Sequence, residues 1–129
     1  MKLTKSTDFA LRVLIYLAQS EKPMTMPVLS DKLGVSYHHL CKLIQTMHKA
    51  GIVQTQQGKN GGVWLMRKAD VISVKDVIDV IDGPTRMVEC LDGSSDCVLL
   101  NGCKLKTVFG QLQNQINTML DGVKLSQMV

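Results

Sequence analysis

The strongest constraint on the fold of this chain is a three-residue turn, Gly34-Val35-Ser36, between two segments of helical periodicity. Glycine commonly ends a helix in a left-handed conformation, and serine commonly begins one by accepting a backbone hydrogen bond. Thr25 and Pro27 mark the start of the first segment, and Gly51 marks the end of the second. The pattern predicts a helix-turn-helix.

The second of these helices, predicted from Ser36 to about Ala50, has two unlike faces. At about 100° per residue, the apolar side chains share one face and must pack on the other helices. Cys41, at the margin of that face, is interpreted as a small packing residue. The opposite face carries donors and no acid, which favours a recognition helix for a DNA major groove. The apolar face is Leu40, Leu43, Ile44 and Met47, and the polar face is His38, Lys42, Gln45 and Lys49, flanked by His39 and Thr46.

A β-hairpin is predicted directly after these helices. Residues 52–57 and 63–66 have the composition of short strands, and Gly58-Lys-Asn-Gly-Gly62 joins them. With a cation and an amide at its tip, such a wing can lie along a sugar-phosphate backbone or enter a minor groove. The candidate DNA-contacting residues are Ser36, Tyr37, His38, His39, Lys42, Gln45, Gln57, Lys59 and Asn60.

Three further helices complete the prediction. One spans residues 3–19 with Ser6 or Thr7 as its cap, and another spans residues 74–81 with Ser73 as its cap. The acids of the second, Asp76, Asp79 and Asp82, are expected to face solvent.

The last predicted helix, residues 104–120, carries an apolar stripe that is too long for the rest of the chain to cover. A second copy of the same helix is the natural partner, and packing back on its own domain is the alternative. The expected fold class is therefore mainly α: a winged helix-turn-helix with a two-stranded β-wing and a long C-terminal dimerisation helix. The stripe is Leu105, Val108, Phe109, Leu112, Ile116, Met119 and Leu120.

Charge is distributed unevenly along the 129 residues. Residues 1–68 hold ten Lys/Arg and three acids, a net +7, whereas residues 69–129 hold five Lys/Arg and eight acids, a net −3, which together give the chain's +4. This asymmetry fits a DNA-binding region, 1–68, integrated with a regulatory region, 69–129. The sequence shows no signal peptide and no apolar run long enough for a membrane span, so we expect a cytoplasmic protein without a membrane partner.

Three cysteines, Cys90, Cys97 and Cys103, fall within one turn-rich segment, residues 84–104. Their spacing contains no Cys-x-x-Cys clamp of structural zinc sites. From spacing alone three kinds of site remain open: an iron–sulfur cluster, a zinc ion completed by Asp96 or Glu89, and bare redox-active thiols.

Several motifs together resemble one bacterial family, the dimeric winged-helix iron–sulfur regulators that include the IscR and NsrR types. The resemblance covers nearly the whole chain. Within the family, the NsrR type is favoured because Lys106 occupies the position of a histidine ligand in the IscR type. Gln57 departs from the arginine usual before the wing in this branch. The motifs are Lys2-Leu-Thr-Lys-Ser-Thr-Asp8-Phe-Ala-Leu-Arg12, Val35-Ser36, Gly58-Lys-Asn-Gly-Gly62 and Cys103-Lys-Leu-Lys106.

The resemblance implies a homodimeric repressor of double-stranded operator DNA with a cluster, 4Fe–4S rather than 2Fe–2S, that senses nitric oxide. Its ligands would be Cys90, Cys97, Cys103 and Asp8 of the partner subunit. Loss or nitrosylation of the cluster would relieve repression. The alternative within the family is an IscR-type regulator of iron–sulfur biogenesis or of the general redox state.

Two other classes of protein fit the sequence less well. A small iron–sulfur electron carrier has no use for a basic helix-turn-helix and wing. An enzyme is disfavoured because His38, His39 and His48 have no paired acid or nucleophile, and no glycine-rich phosphate loop follows a strand.

Overall fold

The computed structural model describes residues 2–93 and 95–129, and in these residues it is mainly helical with one two-stranded antiparallel sheet. The predicted fold class is confirmed. In chain order the elements are α1 (Lys5–Gln19), α2 (Met26–Leu33), α3 (Tyr37–Lys49), β1 (Val53–Gln56), β2 (Gly62–Leu65), α4 (Val74–Ile81) and α5 (Lys104–Gly122), with short 3-10 turns at Glu89–Asp92 and Leu125–Met128.

Helix α1 forms the centre of the core. Its residues Ala10, Val13 and Leu14 are fully buried, and α2, α3, α4 and β2 all pack against the helix. Its cap is Thr4, whose hydroxyl oxygen accepts a hydrogen bond from the Thr7 amide at 3.2 Å. The prediction of Ser6 or Thr7 as the cap is wrong, because both residues already lie inside the helix.

The helix-turn-helix forms where the turn residues predict it. Gly34 ends α2 with φ +61°, a left-handed conformation in which a residue with a Cβ is strained. The Ser30 hydroxyl donates to the Val35 carbonyl at 2.6 Å, and the Ser36 hydroxyl oxygen accepts from the His39 amide at 3.2 Å. The predicted apolar face of α3 is confirmed, with Leu40, Leu43, Ile44 and Met47 all buried.

The wing is an antiparallel hairpin in which Val53 pairs with Leu65 and Gln56 pairs with Gly62. Its two last glycines are required by close backbone contacts. A Cβ at Gly61 would lie 2.2 Å from the Gln56 carbonyl oxygen, and one at Gly62 would lie 2.8 Å from the Met24 carbonyl oxygen. The wing is therefore fixed at its base on the segment between α1 and α2.

Helix α4 begins with a reciprocal capping box. The Ser73 hydroxyl oxygen accepts from the Asp76 amide at 3.0 Å, and the Asp76 carboxylate accepts from the Ser73 amide at 2.9 Å. Burial favours a raised pKa for Asp76, but these hydrogen bonds and the charges of Arg67 and Lys124 outweigh it and lower the pKa.

The expectation that three acids of α4 and its C-cap face solvent is borne out for Asp82, which is exposed, and is corrected for Asp76 and Asp79, which are partly buried. Each has a partner that fixes the helix: Asp76 caps it, Asp79 pairs with Lys75, and Asp82 accepts hydrogen bonds from Thr4.

The end of the chain returns to the core, a feature that the sequence did not predict. Leu125 is 2% exposed, and its amide donates to the Ile72 carbonyl at 2.8 Å. The Ser126 amide donates to the Ala69 carbonyl at 3.0 Å. These bonds hold the Leu125–Met128 turn against α1 and the start of α4.

The predicted apolar stripe of α5 divides into two faces. Phe109, Ile116 and Leu120 are partly buried on the side that packs against α4 and the Glu89–Asp92 turn. Four other apolar residues, spaced by three, four and seven positions, lie on the adjoining face of the helix and are 39–72% exposed: Leu105, Val108, Leu112 and Met119. We call these four residues the outer seam of α5. Packing on its own domain thus holds for one face of the helix, and pairing with a second copy stays a prediction for the exposed face.

The capping box predicts a measurable difference between two caps. Ser73→Ala is expected to lower the free energy of unfolding by about 0.5–2 kcal/mol, because it removes a buried cap hydrogen bond. Thr25→Ala is the matched control, since Thr25 caps α2 without a side-chain hydrogen bond and should have the smaller effect. Urea unfolding followed by circular dichroism measures both, and equal losses would contradict the assigned role of Ser73.

Candidate nucleic-acid interface and cysteine segment

Most of the predicted DNA-contacting residues of α3 are open to solvent. Tyr37, His38, Lys42 and Gln45 are exposed along the face opposite the core. Ser36 is also exposed, although its hydroxyl oxygen is engaged as the helix cap. This surface presents hydrogen-bond donors, lysine cations and no acid, which suits the edges of bases and the phosphates beside them.

His39 is the exception among the predicted contacts on α3. It is only partly exposed, and its Nε2 lies 3.1 Å from the Ser6 hydroxyl of α1. Its ring meets the ring of Phe9 edge-on, with 5.7 Å between centroids. The side chain therefore contacts α1.

The predicted wing residues Gln57, Lys59 and Asn60 are all exposed at the turn between β1 and β2. The turn is closed by a hydrogen bond from the Gly61 amide to the Gly58 carbonyl at 3.0 Å. A basic tip on a hairpin whose base is anchored provides a second, separate contact for a DNA backbone.

The three cysteines of the segment between α4 and α5 occupy different local structures. Cys90 lies in the Glu89–Asp92 turn and is partly exposed, Cys97 is exposed, and Cys103 immediately precedes α5 and is partly exposed. All three are free thiols. Ser94 lies outside the described residues.

Two contacts hold the first part of this segment, residues 84–93, in place. The Arg86 guanidinium lies 2.6 Å from the Asp92 carboxylate, and the Met87 amide donates to the Gln113 side chain of α5 at 2.9 Å. The segment is thereby attached to α5 near Cys90, while Cys97 lies on its more exposed part.

The donor chemistry of the segment fits an iron–sulfur cluster in part, since thiolates are the usual ligands of such clusters and three of the four needed are free here. Among residues 2–93 and 95–129, no three Cys, His, Asp or Glu side chains lie together closely enough to hold a metal ion. The described part of the subunit thus contains three cysteine ligands that do not yet form a metal site. Binding a cluster would require the three cysteines to move closer together.

Asp8, the predicted fourth ligand, lies in the first turn of α1 with 53% of its side chain exposed. Its carboxylate pairs with Arg12 one turn further on, at 2.9 Å. The spacing of four residues, which is visible in the sequence, allows this pair on one side of the helix. The pair leaves the carboxylate at the surface, where it remains accessible.

These elements define a class of protein: a helix-turn-helix with an exposed donor-rich second helix and a basic wing is a winged-helix DNA-binding regulator. The model of the Rrf2 family, described as iron-dependent transcriptional regulators, matches residues 3–129. The chain belongs to the Rrf2 family. It is a transcriptional regulator and not an enzyme.

Individual relatives agree with this family. The HTH-type transcriptional regulator NsrR of Bacillus licheniformis is 34% identical over 132 residues, covering 100% of this chain and 92% of the relative. CymR, the global cysteine regulator of B. subtilis, superimposes with a TM-score of 0.84 at 25% identity, covering 99% of this chain and 95% of that one. T. potens IscR superimposes with a TM-score of 0.79 at 25% identity, covering 99% and 85%.

The helices can also be compared with the length and apolarity that a membrane-spanning helix requires. No helix within residues 2–93 and 95–129 is both long and apolar enough to span a bilayer.

Proposed function

We propose that this Rrf2-family regulator is a homodimeric repressor of operator DNA, in which an iron–sulfur cluster senses nitric oxide. Residues 1–68 would bind DNA and residues 69–129 would hold the cluster and the dimer contact. The observation that carries the proposal is the set of three free, accessible thiols on one segment, next to the exposed outer seam of α5. The setting would be the cytoplasm, where thiols stay reduced.

The proposed ligands are Cys90, Cys97, Cys103 and Asp8 of the partner subunit. Three thiolates suit iron, and a carboxylate is a weaker and more replaceable fourth ligand than a thiolate. When bound, the cluster, which we propose to be 4Fe–4S, would supply iron that nitric oxide attacks.

In this proposal Asp8 has two alternative partners. Within its own subunit it pairs with Arg12, and both side chains are more than half exposed, so the pair is weak and easily exchanged. As a ligand it would instead connect the first turn of α1 to the cysteine segment of the other subunit. The two recognition helices would then be held at a fixed spacing, as paired half-sites require.

The second candidate is a regulator of iron–sulfur biogenesis or of the general redox state, which the structural likeness to T. potens IscR favours. Lys106 speaks against the IscR type, because an ammonium group cannot replace a histidine ligand. NsrR of B. licheniformis, at 34% identity over the whole chain, supports the branch proposed here.

Anaerobic purification tests the proposal directly. The wild type should carry iron and sulfide in equal amounts, absorb visible light, and lose that absorption on titration with nitric oxide. A colourless protein loaded with zinc would support the zinc site instead. A stable spectrum under nitric oxide, with bleaching by oxygen, would support the redox candidate.

The substitution Asp8→Ala distinguishes two roles for Asp8, that of a cluster ligand and that of an ordinary acid in the first turn of a helix. We expect the variant to react with nitric oxide at an altered rate and to lose most of its cluster-dependent gain in DNA affinity. Its free energy of unfolding should fall by at most about 1 kcal/mol, the scale of an acid at a helix start. Stopped-flow absorbance and operator titrations provide the measurements. Arg12→Ala is the control, since it removes the same ion pair and leaves the carboxylate in place; equal behaviour of the two variants would exclude Asp8 as a ligand.

Lys42→Ala and Lys59→Ala test the DNA surface. Each is expected to weaken operator binding at low salt and to reduce the slope of log affinity against log salt by about 1, because each removes one phosphate contact. Lys75→Ala is the charge-matched control, since Lys75 lies on α4 and pairs with Asp79. Fluorescence anisotropy at several salt concentrations measures all three. If Lys42→Ala and Lys59→Ala bind like the control, the assigned surface is wrong.

A further inference from the structure

His39 of the recognition helix contacts the start of α1. Its Nε2 lies 3.1 Å from the Ser6 hydroxyl, and its ring packs edge-on against Phe9. Ser6 and Phe9 are three residues apart, so they lie on one face of α1. His39 thus has one polar and one aromatic contact with the same helical turn.

Asp8 lies between these two residues in the sequence and on a different face of the helix. Its carboxylate points to Arg12 at the surface, whereas Ser6 and Phe9 point to α3. One rigid turn of α1 therefore carries the proposed cluster ligand on one side and both His39 contacts on the other. A displacement of Asp8 must move Ser6 and Phe9 with it, because backbone hydrogen bonds fix the turn.

The same turn is also attached to the end of α4. The Thr4 hydroxyl donates to the Asp82 carboxylate at 2.6 Å, and the Thr4 amide donates to it at 3.3 Å. Burial favours a raised pKa for Asp82, but the hydrogen bonds from Thr4 outweigh it and lower the pKa, so the carboxylate stays charged as an acceptor. Gly83-Pro84, where the cysteine segment begins, follows directly.

Because of its position on α3, a movement of His39 would also move the residues of the first turn of that helix. Its own amide donates to the Ser36 hydroxyl that caps the helix, so the side chain belongs to the first turn of α3. Tyr37 and His38 lie in that same turn and are exposed. A shallow pocket of about 180 Å³ adjoins the contact and is lined by Ser6, His39, Lys42, Leu43, Thr46 and Ile81. The contact between α1 and α3 therefore has free space on this side, into which the His39 ring can shift.

We propose that His39 is a positioning residue that transmits the state of the first turn of α1 to the DNA-contacting first turn of α3. The inference rests on the proposed function, because it makes His39 the route by which cluster binding at Asp8 reaches the recognition helix. His39 acts through Ser6 and Phe9 rather than by contacting a base.

The test compares DNA affinity with and without the cluster in the full-length dimer. The probe is a duplex of roughly 30 base pairs, long enough for two half-sites, selected from a random library by the cluster-loaded wild type. Dissociation constants are measured by fluorescence anisotropy for cluster-loaded protein and for protein stripped by ferricyanide and EDTA. For the wild type we expect a ratio of the stripped to the loaded constant of about 5 to 150, the usual range of coupling between sites.

Three substitutions at His39 separate positioning from other roles. His39→Ala should bring the ratio close to one while visible absorbance and iron content stay unchanged. His39→Gln, which keeps a polar group for Ser6, and His39→Phe, which keeps the ring for Phe9, should each retain part of the ratio. His48→Ala is the matched control, since His48 lies on the same helix but contacts the Val53 carbonyl; its ratio should equal that of the wild type.

Other results would overturn the inference. If His39→Ala raises both dissociation constants by the same factor and keeps the ratio, His39 contacts DNA or merely supports the fold. If the ratio is unchanged and both constants are unchanged, the side chain has no role in DNA binding.

A second readout keeps the inference separate from the proposed function. If the wild-type ratio is one, cluster sensing fails, and hydrogen exchange of the stripped protein then decides the role of His39. Ser6→Ala should accelerate amide exchange in residues 37–41 of the wild type and have no further effect in the His39→Ala background. An equal acceleration in both backgrounds, or none in either, would show that the turn of α1 does not act through His39.

Discussion

Cys90→Ala, Cys97→Ala and Cys103→Ala are each expected to produce a colourless protein that retains its fold. Each change removes one of three thiolate ligands on the same segment. The loss of iron affinity should exceed the roughly 10–100-fold that changes in supporting residues cost. Iron and sulfide content after anaerobic purification, together with the visible spectrum, measures the effect.

Cys41→Ala is the matched control for this series. Cys41 is a free, partly exposed thiol on α3, outside the cysteine segment, and its removal should leave the chromophore intact. Full colour in any one of the three segment variants would remove that cysteine from the ligand set. Loss of colour in Cys41→Ala, with the fold preserved, would contradict the assignment of the site to the segment.

Leu112→Asp is expected to convert the proposed homodimer to a monomer. Leu112 lies in the middle of the outer seam of α5, and a self-complementary contact would bring two copies of the new carboxylate into one apolar interface. A loss of about 2 kcal/mol per subunit, about 4 kcal/mol for the dimer, raises the dimer dissociation constant by roughly 700-fold. Analytical ultracentrifugation measures the change, and operator affinity should fall with it, because two half-sites no longer act together.

Asn114→Asp provides the control for charge alone. Asn114 is exposed on α5, two residues after Leu112 and therefore on the opposite side of the helix from the outer seam. This variant should remain dimeric. If Leu112→Asp also remains dimeric at micromolar concentration, the outer seam is not the subunit interface.

The fold was predictable where the determining signals are local. Gly34 and Ser36 set the helix-turn-helix within three residues, and Ser73 with Asp76 sets the start of α4 within four. The apolar face of α3 followed from helical periodicity alone, because the spacing of apolar residues along one helix is a local pattern. Propensity, capping and periodicity agree at these positions.

Features that depend on distant residues were missed. Thr4 and Asp82 are 78 positions apart, and Ser6 and His39 are 33 apart, so no local pattern indicates either contact. His39 appeared on the flank of the polar face, and only the packed structure shows that its ring contacts α1. The turn at Leu125–Met128 was overlooked because one buried leucine gives no periodicity.

The candidate metal site was likewise predictable in its local features and not in those that depend on the packed structure. Cysteine type and spacing identified the segment, and the structure describes its three thiols as free and accessible. The sequence could not indicate whether the three cysteines lie together within one subunit. That depends on the conformation of a turn-rich segment between α4 and α5. The Asp8–Arg12 pair adds a competing partner for the proposed fourth ligand.

The most direct test of the account is one operator titration of the anaerobic, cluster-loaded dimer, repeated after stepwise addition of nitric oxide, with absorbance recorded on the same samples. We predict that operator affinity falls at least about fivefold, in parallel with the loss of the visible chromophore. Cys97→Ala, treated identically, should bind with the weaker affinity throughout. An operator affinity that stays constant while the chromophore disappears would contradict the central claim that the cysteine segment controls DNA binding.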